Sequence, residues 1–398
     1  MEKRNLQKDN RRYKILRKVS RFFTRLFLKY DCQDKYEIKD GERILVISNH
    51  QTDVDPFLIF PSFNKPLYPV ATDNIFAGKV NAKMLNWLGA IPKKKGEADV
   101  KSVLSIKDRM KEGGSILLFL EGNRTYAEFQ FYIPNSTPRL IKMLKPTLVL
   151  FTLHGGTGVS PRFKNKNRKG KFYGKIERVL PFEEYKDMDN DELLELIKNT
   201  IKVFDSEEGN LYKSSRRGEY LEREFFVCPV CGQKEQLYSK KSLICCRNCN
   251  LSVEYTEDLH LKSDNQKFTF NRLVDWWNFQ KRYIKNYQVL DGEKIFEDHH
   301  VAIKKSNPFE RIKVLYRGKI TLDSKSFHYG NNSFAVCDIE SASVVSGRKL
   351  VFKYRDNNYT IKGGKRFNPL KYIFMFNKLE TKMKLQKTDL YYGIEEDN

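Results

Sequence analysis

Three groups of residues in this chain have the types and spacing that chemistry requires. In Asn49-His50-Gln-Thr-Asp-Val-Asp55 a histidine is followed five residues later by an aspartate. That interval lets the chain turn once, so the carboxylate can accept the Nδ1 hydrogen of His50, fix its tautomer and support an imidazolium. The other ring nitrogen is then left to act as a base. In Phe119-Leu-Glu-Gly-Asn-Arg-Thr125, Glu121 supplies a carboxylate, Gly122 a backbone that permits close approach, and Arg124 a guanidinium fork suited to a phosphate monoester. The third group is Cys228-Pro-Val-Cys231 and Cys246-Arg-Asn-Cys249, separated by fourteen residues. Two such knuckles can present four thiolates to one tetrahedral zinc ion, a reading favoured over a redox pair. Cys32, Cys245 and Cys337 remain as spectators, read as buried thiols.

Positioning these groups requires strands that end at them. Arg43 to Ser48 reads as a strand running into Asn49, and Ser115 to Leu120 as a strand running into Glu121. Val100 to Glu112 reads as an amphipathic helix closed by Gly113 and Gly114, Thr147 to Leu153 as a strand, and Asp191 to Phe204 as a helix. Alternation of this kind predicts an α/β domain, a mixed sheet flanked by helices, over residues 36–208, with its site at the strand ends. His154-Gly155-Gly156 reads as a turn after a strand, with an oxyanion-type turn as the alternative. The polar stretch 206–224 marks a boundary, followed by a zinc ribbon over 225–256 and a linking helix over 262–288 whose aromatic stripe includes Trp276 and Trp277. Short alternating runs and then a helical pattern give an antiparallel β domain with a terminal helix over 295–388, PH- or GRAM-like in element order.

The two polar motifs together resemble the glycerolipid acyltransferase family, whose best-known members make phosphatidate from lysophosphatidate. Asn-His-x4-Asp followed by Phe-x-Glu-Gly-x-Arg-Thr carries the resemblance, which covers residues 40–205. It implies that His50 is the general base for the acceptor hydroxyl and Asp55 its orienting partner. It also implies that Asn49, Glu121, Gly122 and Arg124 serve substrate binding. Gly89-Ala-Ile-Pro-Lys-Lys-Lys95 resembles a further family block that normally ends in a phosphate-binding arginine; here Lys95, or else Lys93 or Lys94, stands in its place. The block around Leu148 to Thr152 lacks the usual internal proline, and Leu120 and Asn123 stand where proline and threonine are common. The implied reaction moves an acyl group from acyl-CoA or an acyl carrier protein thioester to the sn-2 hydroxyl of lysophosphatidate or a related lysophospholipid. No Gly-x-Ser-x-Gly elbow is present, which favours direct transfer over a serine acyl-enzyme. Zinc would be structural.

The 398 residues carry 73 Lys and Arg against 50 Asp and Glu, a net charge of +23 that attracts polyanions. Eleven Lys and Arg against two acids fall in the first thirty residues. Ile15, Val19, Phe22, Phe23, Leu26, Phe27 and Tyr30 recur there at helical spacing, which predicts a basic amphipathic helix within residues 1–35. An anionic membrane surface is the favoured partner, with packing on the core as the alternative. The basic run Arg162 to Lys175 reads as a solvated loop, or as one that holds headgroups or an acidic donor. No apolar run is long enough to span a bilayer and no secretory pattern opens the chain, so a peripheral place on the cytoplasmic face of a membrane is expected. A nucleic-acid-binding zinc-ribbon protein would explain the charge and the cysteines, but not the two motifs at strand ends.

Overall fold

The computed structural model describes residues 6–72, 79–93, 100–307, 311–345 and 347–382. Lys94 and Lys95 lie outside these residues. The chain divides into two compact units, residues 1–161 with 166–213, and residues 162–165 with 214–398.

The first unit begins with α1 (Leu6–Leu28), then β1 (Tyr30–Cys32), β2 (Ile44–Ser48), α2 (Asp55–Ile59), β3 (Leu67–Thr72), α3 (Lys79–Leu88) and β4 (Ile91–Lys93). It continues through α4 (Val100–Lys111), β5 (Ser115–Leu118), α5 (Thr137–Leu144), β6 (Thr147–His154), α6 (Gly156–Val159), β7 (Phe172–Leu180), α7 (Phe182–Tyr185) and α8 (Asn190–Ile201). The seven strands form one sheet in the order β1-β7-β6-β2-β5-β3-β4, with β6 and β7 antiparallel and every other pair parallel. All five residues of β2 are buried, as expected of a central strand covered on both faces. Leu45 and Ile47 join a core with Ile116, Leu148, Leu150, Ile141 and Ile197, which buries α5 and α8 on that face. Because β2, β5 and β6 are parallel neighbours, with Val46 opposite Leu117 and Val149, the residues after all three strands emerge along one edge.

Several expected boundaries move. The β5 strand stops at Leu118, two residues short, because the chain turns there into the Phe119–Arg124 segment. Helix α8 ends at Ile201, and Asp205–Glu207 form a separate short 3-10 turn. The basic run is not wholly a loop: Phe172 onward is strand β7, with Phe172 and Gly174 buried. Tyr30 does not extend the α1 stripe, since Lys29 adopts a left-handed φ of 51° and Tyr30 is buried in β1.

The second unit contains β8 (Leu237–Lys240), β9 (Leu243–Cys246), β10 (Ser252–Tyr255) and β11 (Leu261–Lys262), an antiparallel sheet in the order β11-β10-β9-β8. Then comes α9 (Leu273–Asn286), which is shorter than the expected 262–288 and starts five residues after Phe268, where the aromatic stripe begins. Trp276 Nε1 donates to Val227 O at 3.0 Å, and the Gln280 side chain bonds Phe226 N and Glu224 O, fastening the helix to the chain that enters the first knuckle. An antiparallel sheet follows, made of β12 (Phe296–Lys305), β13 (Lys313–Leu322), β14 (Ser326–Tyr329), β15 (Asn332–Ala335), β16 (Ile339–Val345), β17 (Lys349–Tyr354) and β18 (Asn357–Lys362). Its order is β15-β14-β13-β12-β18-β17-β16. Helix α10 (Leu370–Lys382) buries Tyr372 against Phe296 and Phe327, and Phe374 against Trp277. Lys371, 3% exposed, pairs with Asp298 at 2.8 Å and with Glu235, which joins the ribbon to the larger sheet.

Candidate active site

His50 stands two residues beyond β2, and its Nδ1 lies 2.8 Å from Asp55 Oδ2. Asp55, the first residue of α2, is fully buried. Its carboxylate also accepts Gln51 N at 2.6 Å, Thr52 N at 2.9 Å and the Thr52 hydroxyl. A carboxylate with this many donors is held as an acceptor, so it fixes the imidazole with Nδ1 as the donor. Proton transfer is then left to Nε2. The ring is stacked on Phe119, with centroids 4.4 Å apart, and keeps 21% of its side chain exposed. An oriented, partly open imidazole is the arrangement a general base requires.

The segment after β5 is tied to the one after β2 by backbone and side chain. Thr125 N donates to His50 O at 2.8 Å and Arg124 Nε to Gln51 O at 3.1 Å. Arg124 Nη2 donates to Ser160 O at 3.1 Å, while Nη1 pairs with Asp53 at 2.8 Å. Two corners of the guanidinium are thus anchored to the backbone, and the third meets a carboxylate that is 72% exposed. Gly122 has a φ of 61°, in the left-handed region that an L side chain strains to adopt, so the tight turn delivering Arg124 needs glycine there.

Glu121 and Asn49 hold the frame. Glu121 is 3% exposed and accepts Phe131 N at 3.0 Å, as well as the backbone of His50; burial pushes its carboxyl up to about 8 despite those bonds. Asn49 Nδ2 donates to Leu153 O at 2.9 Å and its Oδ1 accepts Leu153 N at 2.8 Å, stitching the end of β2 to β6. Lys93 ends β4.

The turn after β6 is a turn with its amides already occupied. Gly155 N and Thr157 N donate to Asp205, and Gly156 N to Gln51 Oε1. His154 stacks on Tyr173 and is paired with Glu208; burial lowers its pKa, but Glu208 and the neighbouring carboxylates raise it more. Asp205 and Glu208 carry no motif and Gln51 is only a variable position within His-x4-Asp, so sequence reasoning missed all three.

The four knuckle cysteines have Sγ atoms within 4.8 Å of one another, with Cys228 to Cys249 at 3.6 Å and Cys231 to Cys246 at 3.8 Å. Thiolates at about 2.3 Å from a tetrahedral zinc would be roughly 3.8 Å apart, so the donor set fits that ion. Cys245 is not part of it and lies beside Ser252.

Residues 29–153 match the Acyltransferase family model. Among solved structures, the 1-acyl-sn-glycerophosphate (LPA) acyltransferase PlsC from Thermotoga maritima is similar at 15% identity and a TM-score of 0.43, covering 50% of this chain and 81% of that one. No curated protein matches the chain.

Proposed function

We propose that this chain, whose residues 29–153 match the Acyltransferase family model, transfers a fatty acyl group from a thioester to the sn-2 hydroxyl of lysophosphatidate or a related lysophospholipid. The observation that carries the reading is His50 held by a buried Asp55 on the same sheet edge as Arg124. His50 Nε2 removes the hydroxyl proton as the oxygen attacks the thioester carbonyl. The tetrahedral intermediate collapses with cleavage of the C–S bond, and the departing thiolate takes the proton back from the imidazolium. Arg124 binds the acceptor phosphate through Nη1, in the place Asp53 occupies here, because a dianionic phosphate competes well for a guanidinium fork against an exposed carboxylate. Glu121 and Asn49 act by holding the loops that carry these groups, and a lysine of 93–95 adds positive charge. The donor is acyl-CoA or acyl carrier protein.

The enzyme works at an anionic membrane surface, on its cytoplasmic face. Helix α1 supports this: Ile15, Phe22, Leu26 and Phe27 are each more than half exposed, among Arg and Lys, while Asp9, Tyr13, Ser20 and Thr24 are the residues it buries. Among the described residues no helix is long and apolar enough to cross a membrane. Zinc, held by Cys228, Cys231, Cys246 and Cys249, would fasten two loops of the second unit and supply structure only.

Phosphatidate formation from lysophosphatidate, assayed in vesicles with acyl-CoA and with acyl carrier protein thioesters, tests the proposal. Turnover with either donor supports it; no turnover with any donor and several lysolipids contradicts it.

A further inference from the structure

We propose that Asp205 is the positioning residue for Arg124, acting at one remove through two hydrogen-bonded routes that start on its buried carboxylate. The inference rests on the reading that Arg124 holds the acceptor phosphate, and it adds what sets the guanidinium.

Asp205 is 1% exposed, and its carboxylate accepts hydrogen bonds, among the described residues, from Gly155 N at 2.6 Å, Thr157 N at 2.9 Å, the Thr157 hydroxyl, and Gln51 Nε2 at 3.3 Å. The first route runs through Gln51. Its side-chain amide is clamped between Asp205 and Gly156 N, which donates to Oε1 at 2.9 Å, and its backbone oxygen receives Arg124 Nε. The approach is so close that a Cβ on Gly156 would fall 2.4 Å from Gln51 Oε1 and 2.7 Å from Gln51 Cβ, so a side chain there would displace Gln51. The second route runs through the turn. Asp205 fixes Gly155 and Thr157, the start of α6; Val159 N and Ser160 N donate back to Gly155 O and Gly156 O, and Ser160 O receives Arg124 Nη2.

Both backbone oxygens that orient Arg124 are therefore set by one carboxylate, which lies 81 residues further along the chain. An asparagine in its place would offer one acceptor and an unwanted donor to a cluster made only of donors. The turn and the Gln51 amide would both shift, and the guanidinium with them. Substrate positioning of this kind is sensitive to displacements of about 1 Å.

The test compares Asp205→Asn, Arg124→Ala and the double variant, with Thr157→Val as a milder change that removes one donor from the same cluster. In acyl transfer to lysophosphatidate, Asp205→Asn is expected to raise the acceptor KM about tenfold or more, with kcat near wild type. Thr157→Val should move KM the same way by less, and the double variant should be no worse than Arg124→Ala alone, because both changes remove one function. Independently of turnover, the side-chain Nε–H resonance of Arg124 in arginine-labelled protein should lose its protection from exchange in Asp205→Asn. A protected Nε–H in that variant, an unmoved KM, or defects that multiply in the double variant would overturn the proposal. Should wild type fail to use lysophosphatidate, the substrate reading falls, and the Arg124 resonance alone decides for or against Asp205.

Discussion

Glu121 shows how the fold changes what a charged residue does. Its carboxyl is enclosed beneath the loops it ties together, and burial holds its pKa near about 8 against 4.5 for the free group. The unfolded chain thus ionises this group first as pH rises, so its contribution to stability is complete below 4.5 and is lost between there and about 8. Glu121→Gln should accordingly be most destabilising at about pH 4 and progressively less so towards about pH 8.5, measured by urea unfolding; a difference from wild type that does not vary with pH would contradict this. His50 and Asp55 were legible in the sequence because six residues of chain contain the whole pair, and one turn closes it. Glu121 was legible as part of a motif, but its burial was not, since the enclosing residue Phe131 lies ten positions away in a segment with no pattern. Asp205 had no signal at all. A carboxylate that caps backbone amides 48 to 50 residues distant is defined only by the folded chain.

At the scale of elements, the N-terminal helix is the informative case. A stripe of apolar residues beside cations fits equally well a helix packed on a core and one lying on a bilayer, because periodicity reports a face and not what covers it. In the fold the helix docks through its polar side. Tyr13 donates to Phe60 O at 3.0 Å, and Tyr68 donates to Asp9 at 2.8 Å. Phe23 and Phe27 stack on each other, pointing away from the domain. Replacing both Phe22 and Phe27 by Glu should abolish co-sedimentation with anionic vesicles while leaving the melting temperature unchanged, since neither side chain is buried. Binding of wild type should weaken as salt is raised. A variant that still sediments with vesicles would show that α1 is not the membrane contact. The β7 strand was hidden for a different reason. Its first residues belong to a run of lysines and arginines, and the alternation Phe172, Gly174, Ile176 that makes it a strand beside β6 is obscured by the cations that precede it and by Lys175 within it.

Across the whole molecule, alternation of strands and helices followed by cysteine knuckles and short strands already indicates an α/β unit, a ribbon and an antiparallel sheet. The structure joins the last two in one unit and assigns to it the four residues 162–165, an excursion that no composition shift marks. Phe163, 2% exposed, is buried there against Tyr255, and its carbonyl accepts from Arg223 at 2.9 Å. The ribbon lies within the same network, so protein purified under metal-replete conditions should carry about one zinc per chain, and chelation should lower the melting temperature of the second unit. Metal content below about half an equivalent would remove zinc from the account. The central claim is that His50 is the base of an acyl transfer. Its most direct test is the rate of phosphatidate formation by the full chain and by His50→Ala, matched for folding by circular dichroism. The variant should lose about a hundredfold to ten-thousandfold in rate; a variant as active as wild type would contradict a role for His50 as the base.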